Sequence, residues 1–281
     1  MTLYDHRPCR LGEGPLWLPE RQTLIWFDIL NRQMLARTHG RTQVWQFDRH
    51  HSAAGRVDED TLILASEDAL WRFDLQNGSR SKVCALEEGN RYTRSNDGRA
   101  DPWGGFWIGT MGFNAERGAG AIYRYYRGEC RQLVPDISIS NAICFAPDRS
   151  CAYYTDTMTR RIMRLPLAAD TGWPDGPPQV FADLRPAQLN PDGAVTDAAG
   201  HLWVACWGAS CVICLDAKGT EAQRLSLPAQ QPTCPAFGGP DLTDLFVTSA
   251  FDGLTEPNTN QGATFCIPNA GQGLAEPQVI L

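Results

Sequence analysis

Arg94-Ser95-Asn96-Asp97-Gly98-Arg99-Ala100-Asp101-Pro102-Trp103-Gly104-Gly105-Phe106-Trp107-Ile108-Gly109-Thr110-Met111-Gly112 sets a cation, an amide and carboxylates beside a glycine turn, then runs into an aromatic and β-branched segment. That second part suits a buried strand able to hold polar groups rigidly at its mouth. Asn-Asp-Gly also has a plainer meaning, a solvated hairpin turn. Recurrence along the chain separates the two readings.

Comparable segments, each preceded by a small polar turn, occur at Leu24–Asp28, Thr61–Ala65, Phe106–Thr110, Ala152–Asp156, His201–Ala205 and Asp244–Thr248. Their centres lie roughly 37 to 49 residues apart, the repeat length of a four-stranded propeller blade. A turn and an alternating apolar and polar run follow, as in Ala69–Asp74 and Ala121–Tyr126, which reads as the outer half of a blade. No stretch sustains a 3.6-residue apolar period, and 26 glycines and 19 prolines supply frequent turns. The expected fold is therefore all-β: a six-bladed β-propeller of four-stranded blades around a central channel, one domain over residues 1–281. A two-sheet sandwich is the alternative. Pairing of the C-terminal run Pro277–Leu281 with an N-terminal blade is expected to close the ring.

Equivalent positions in successive blades surround one axis at one height. Counting back about 11 to 13 residues from Trp26, Trp107, Tyr154 and Trp203 reaches Glu13, Asn96, Asn141 and Asp192, four oxygen-bearing side chains at one phase. In a propeller that phase falls on the innermost strand, near one end of the channel. Two carboxylates buried together repel, and a divalent cation between them would neutralise both. With an amide carbonyl they form a hard oxygen set suited to Ca²⁺, Mg²⁺ or Mn²⁺. The competing reading makes them turn and cap residues, as Asn190-Pro191-Asp192-Gly193 also suggests.

A formal net charge of −7 and a pI near 5.2 disfavour a phosphate-backbone partner, so no nucleic acid is expected. There is no apolar leader at Met1–Pro8 and no run of roughly 18 apolar residues, so a cytoplasmic chain without membrane attachment is expected. Ten cysteines in a long chain without an export signal read as buried thiols. No segment announces an interface from which to infer an oligomer.

Leu11-Gly12-Glu13-Gly14-Pro15, the Arg94 to Met111 stretch, Ser140-Asn141, Asn190-Pro191-Asp192-Gly193 with Leu202-Trp203-Val204-Ala205, and Pro232-Thr233-Cys234 leading to Phe237-Gly238-Gly239 together resemble the regucalcin/gluconolactonase family of sugar lactonases. The resemblance runs in family order over almost the full length. It implies a six-bladed propeller, a small-molecule sugar lactone as substrate, and one divalent ion (Ca²⁺, Zn²⁺, Mn²⁺, Mg²⁺ or Fe²⁺) held by Glu13, Asn141 and Asp192. It further implies that Arg94 and Asn96 contact the substrate or a metal-bound water. Asn141-Ala142 departs from the family's usual Asn-Gly. Asp97 and Asp101 belong to the motif and read as turn braces.

On this reading the metal would polarise the lactone carbonyl while Asp192 accepts the proton of the attacking water. Arg94 and Asn96 would hold sugar hydroxyls. Glu116 is either a substrate contact on a lid or a solvated loop charge. A calcium-binding or protein-interaction scaffold, or a hydrolase of another ester, is the alternative. Cys206, Cys211, Cys214 and Cys234 are spaced superficially like iron–sulfur ligands. Residues three apart on a strand face opposite ways, however, so packed thiols are expected. Cys234 and His51 fall near the channel phase in the two remaining blades. Gly208-Ala209-Ser210-Cys211-Val212 lacks the second glycine of a nucleophile elbow, and the histidines lack zincin spacing. Asn77-Gly78-Ser79 reads as a hairpin turn.

Overall fold

The computed structural model describes residues 1–281. Its strands form six separate four-stranded antiparallel sheets arranged as the blades of a β-propeller. The innermost strands are β2 (Gly12–Leu18), β6 (His51–Arg56), β10 (Thr93–Ala100), β14 (Ser140–Phe145), β18 (Asn190–Thr196) and β22 (Gln231–Gly238). Pro235 in the last of these sits beyond a register shift.

The second strand of each blade is apolar on both faces, because each blade is stacked between two others. In β7 (Thr61–Ser66), Leu62 and Leu64 pack with Ile25 and Phe27 of the first blade, while Ile63 and Ala65 pack with Phe106 and Ile108 of the third. The period-two alternation of a strand thus feeds two interfaces at once. Six buried clusters result, each filling the gap between one pair of neighbouring blades. No helix is long and apolar enough to cross a membrane.

The ring closes differently from expectation. Strand β1 (Thr2–Asp5) pairs antiparallel with β24 (Thr264–Ile267), so the N-terminus supplies the outer strand of the last blade. The C-terminal run instead reaches the ends of the inner strands: Val279 N donates to Arg56 O at 2.6 Å and Ile280 N to Gly104 O at 2.8 Å. There Glu276 ion-pairs with Arg99, whose guanidinium also donates to Ile143 O at 3.2 Å and Ala194 O at 3.0 Å. The far end of the channel is thereby occupied by the chain's own tail.

Candidate active site

Every inner strand loses register with its neighbour one to three residues after it begins. Such bulges insert unpaired residues, bend the strand and re-aim side chains. The unpaired residues are Gly14-Pro15, Ser52, Asn96-Asp97, Ala142-Ile143, Asp192-Gly193 and Thr233-Cys234. Consecutive polar residues, which a regular strand would send to opposite faces, can both serve the channel here. Gly14 has φ +54°, and a Cβ there would meet Ser52 O at 2.3 Å. Ala142 takes the same left-handed conformation, φ 54°, with a side chain. The departure from Asn-Gly therefore leaves the backbone shape intact and adds strain.

Glu13 and Asp192 are brought within hydrogen-bond reach of each other, both almost completely buried. Burial, then the Asp97 charge, pushes the Glu13 carboxyl up to about 8. Burial, then the Glu13 charge, raises Asp192 well above its ordinary value. The pair accordingly retains a proton at neutral pH. Asp97, also buried, is pushed up to about 6 by burial, and its carboxylate accepts from Ile143 N at 2.7 Å. Arg94 is only 5% exposed, and burial lowers its guanidinium to about 10.

The amides form a chain across blades. Arg94 Nη1 donates to Ser95 O at 3.0 Å and to Asn96 Oδ1 at 2.7 Å. Asn96 Nδ2 donates to Ser140 O at 2.9 Å and to Asn141 Oδ1 at 3.1 Å. Arg94 Nε and Ser140 Oγ are buried without a partner. A cation is thus anchored through one nitrogen and keeps a free donor.

Glu13, Arg94, Asn96, Asn141 and Asp192 are all buried on inner strands, four of them at the shared phase and Arg94 two residues before Asn96. Glu116 stands apart: it is exposed on the loop after β11 (Phe106–Gly112), where its carboxylate accepts from Asn114 N at 3.1 Å and Asn114 Nδ2 at 2.9 Å. His51 is buried, stacks on Phe47 at 4.2 Å and donates from Nδ1 to Arg49 O at 3.1 Å. Burial lowers it to about 4, so it is neutral. Cys234 packs against Gly193, where a Cβ would lie 2.4 Å from its sulfur. Cys206 and Cys211 face one blade interface and Cys214 the other, as expected of packed thiols.

The expected divalent ion does not fit this arrangement. No group of three or more His, Cys, Asp or Glu side chains is placed to hold a metal ion. Glu13 and Asp192 contribute two carboxylates, but the Asn141 oxygen accepts from Asn96 and the third nearby carboxylate, Asp97, is bound to a backbone N–H. A metal centre of Ca²⁺, Zn²⁺, Mn²⁺, Mg²⁺ or Fe²⁺ on Glu13, Asn141 and Asp192 is therefore withdrawn. The repulsion that an ion was expected to relieve is relieved by proton retention. Asp97 and Thr157 were not read as partners of this group: their roles depend on bulge and blade geometry, which leave only a doubled polar residue as a linear trace.

Residues 11–251 match the family described as "SMP-30/Gluconolactonase/LRE-like region". The chain belongs to that family. It is 33% identical to the 6-deoxy-6-sulfogluconolactonase of Pseudomonas putida, over 87% of this chain and 84% of that protein. It is 31% identical to the L-arabinolactonase of Azospirillum brasilense, over 98% and 93%. Among solved structures it is similar to a calcium-binding protein, regucalcin, from Agrobacterium tumefaciens: TM-score 0.97, 40% identity, 99% and 97% of the two chains. Relatives with which it aligns over most of its length are thus named as sugar lactonases.

Proposed function

We propose that the protein hydrolyses a sugar lactone to the corresponding aldonic acid, a carboxylic ester hydrolysis carried out where the inner strands start. The observation that carries the reading is a buried pair of carboxyl groups, Glu13 and Asp192, near a buried arginine, Arg94, with an unused Nε–H. Lactone opening needs a base for water, an acid for the leaving ring oxygen and a positive partner for the carbonyl oxygen.

Asp192, paired with Glu13, accepts a proton from water as the water oxygen bonds to the lactone carbonyl carbon. The carbonyl oxygen gains negative charge beside the Arg94 guanidinium. When the ring C–O bond breaks, the proton held by the pair passes to the departing oxygen, leaving a hydroxy acid. Arg94 and Asn96 also direct the sugar hydroxyls, and Glu116 contacts the bound sugar from its exposed loop. Two carboxyls with pKa values pushed upward supply acid and base near neutral pH.

The test is a pH-indicator assay on a panel of pentono- and hexonolactones beside a simple aryl ester. Turnover of at least one aldonolactone, well above the spontaneous rate and above that of the aryl ester, is expected. Equal or faster turnover of the aryl ester would redirect the reading to general ester hydrolysis. No turnover of any substrate would favour a scaffold.

A further inference from the structure

Thr157 lies outside the inner strands, in a short 3₁₀ turn over Thr157–Thr159 between β15 (Cys151–Asp156) and β16 (Arg161–Pro166) of the fourth blade. Its hydroxyl nevertheless joins the inner strands of two blades. Thr157 Oγ1 donates to Pro191 O, next to Asp192, at 2.7 Å and accepts from Asn141 Nδ2 at 2.9 Å. A backbone carbonyl can only accept, so the single Thr157 proton is committed to Pro191 O and the oxygen must receive a donor. Asn141 therefore turns its NH₂ to Thr157 and its Oδ1 to Asn96.

The same logic continues inward. Ser140 O can only accept, so Asn96 gives its NH₂ to Ser140 O and Asn141 Oδ1 and presents Oδ1 to Arg94 Nη1. An amide's two ends are nearly identical in shape, and only such a chain fixes which is which. Both ends of this chain are backbone carbonyls. No member can turn over without leaving a buried donor facing a donor.

The turn itself is held firmly. Asp156, mostly buried, accepts from Met158 N at 3.2 Å and also from Ser138 N at 3.0 Å and Ile139 N at 3.2 Å, tying the turn to the segment that leads into Ser140 and Asn141. Thr157 N donates back to Ile139 O at 3.0 Å.

We infer that Thr157 is a positioning residue: its hydroxyl holds the NH₂ end of the Asn141 amide, whose Oδ1 in turn receives Asn96 and steadies the Asn96–Arg94 contact, so that Arg94 Nε stays free for the substrate. For its kinetic consequence the inference rests on the lactonase reading; for its structural consequence it does not. Thr157→Val keeps the shape and removes the hydroxyl, whereas Thr157→Ser keeps the hydroxyl.

Two readouts separate the inference from that reading. In selectively ¹⁵N-asparagine-labelled protein, the side-chain NH₂ signals of Asn141 and Asn96 are expected to shift in Thr157→Val and to stay near their wild-type positions in Thr157→Ser. On an aldonolactone that the wild type opens, Thr157→Val is expected to lose on the order of 10- to 100-fold in kcat, with a smaller change in KM, as misplacement of reacting groups does. Thr157→Ser should stay within about threefold. Unmoved amide signals in Thr157→Val, or equal kcat for the two variants, would overturn the inference. Absence of turnover in the wild type combined with shifted amides would reject the lactonase reading and uphold the amide relay.

Discussion

Replacing Asp192 by asparagine is expected to slow lactone opening roughly a thousandfold, the scale of removing a general acid–base group, while the folded protein becomes more stable above neutral pH. Both parts follow from one feature. Asp192 and Glu13 share a buried site in which burial and mutual repulsion raise both carboxyls. Between the ordinary Glu value of 4.5 and about 8, the folded chain holds a proton that the unfolded chain has released. Stability therefore falls as pH rises through that window, by about 1.4 kcal/mol per pH unit for each such proton. Asparagine keeps the shape, takes no charge and relieves Glu13 of its neighbour. The melting temperature of Asp192→Asn should exceed that of the wild type at pH 8 by several degrees and approach it at pH 4.5, by differential scanning calorimetry. A lower melting temperature at pH 8, or a rate within tenfold of wild type, would remove Asp192 from its assigned place.

Asp101→Ala is expected to cost about 3–5 kcal/mol of folding stability, because it strands a buried cation. Asp101 and Arg124 are both fully buried, with Arg124 Nε 2.6 Å from Asp101 Oδ2. The same carboxylate accepts from Trp103 N and Gly105 N at 2.9 Å each, holding the turn between β10 and β11. Arg124 is stacked against Trp173 at 4.4 Å and Tyr126 at 4.6 Å, and its Nη1 donates to Thr171 O at 2.9 Å. These contacts keep the guanidinium inside when its counter-charge is removed. The double variant Asp101→Leu with Arg124→Met, which removes both charges, should recover much of the loss. Urea unfolding would measure both; a loss under about 1 kcal/mol for Asp101→Ala contradicts the assignment. The reading of Asp101 as a turn brace was correct as far as it went. The arginine lies 23 residues on, on β12 (Gly120–Tyr126), and only the pairing of strands brings it back.

That contrast marks what the sequence could and could not carry. Blade number and the inner-strand phase were legible because each second strand must be apolar on both faces, a pattern as plain at Leu62-Ile63-Leu64 as at Phe106-Trp107-Ile108. The convergence of Glu13, Asn96, Asn141 and Asp192 follows from that repeat, whereas Arg94 entered only through the family resemblance. The bulges do not, since a register slip is a property of two strands; they turn Asp97 toward Ile143 N in the next blade rather than leaving it a local turn brace. The C-terminal run does bridge the second blade, at Arg56 and Gln278, but the strand that closes the ring leaves a weaker trace. Thr2–Asp5 is four residues long, too short to compete as a signal with the apolar C-terminal run, yet it finds an open edge on β24. The metal expectation failed on counting donors: the phase gathers two carboxylates and amides, and no group of three His, Cys, Asp or Glu side chains stands together to hold an ion.

The pH dependence of aldonolactone opening by the wild-type protein, corrected for spontaneous hydrolysis, tests most directly whether the buried Glu13–Asp192 pair is the working base. The rate is expected to peak where the pair holds one proton and to fall again as pH rises past about 8, where Glu13 loses it. A rate already level by about pH 5, the behaviour of an ordinary exposed carboxylate, would contradict the account.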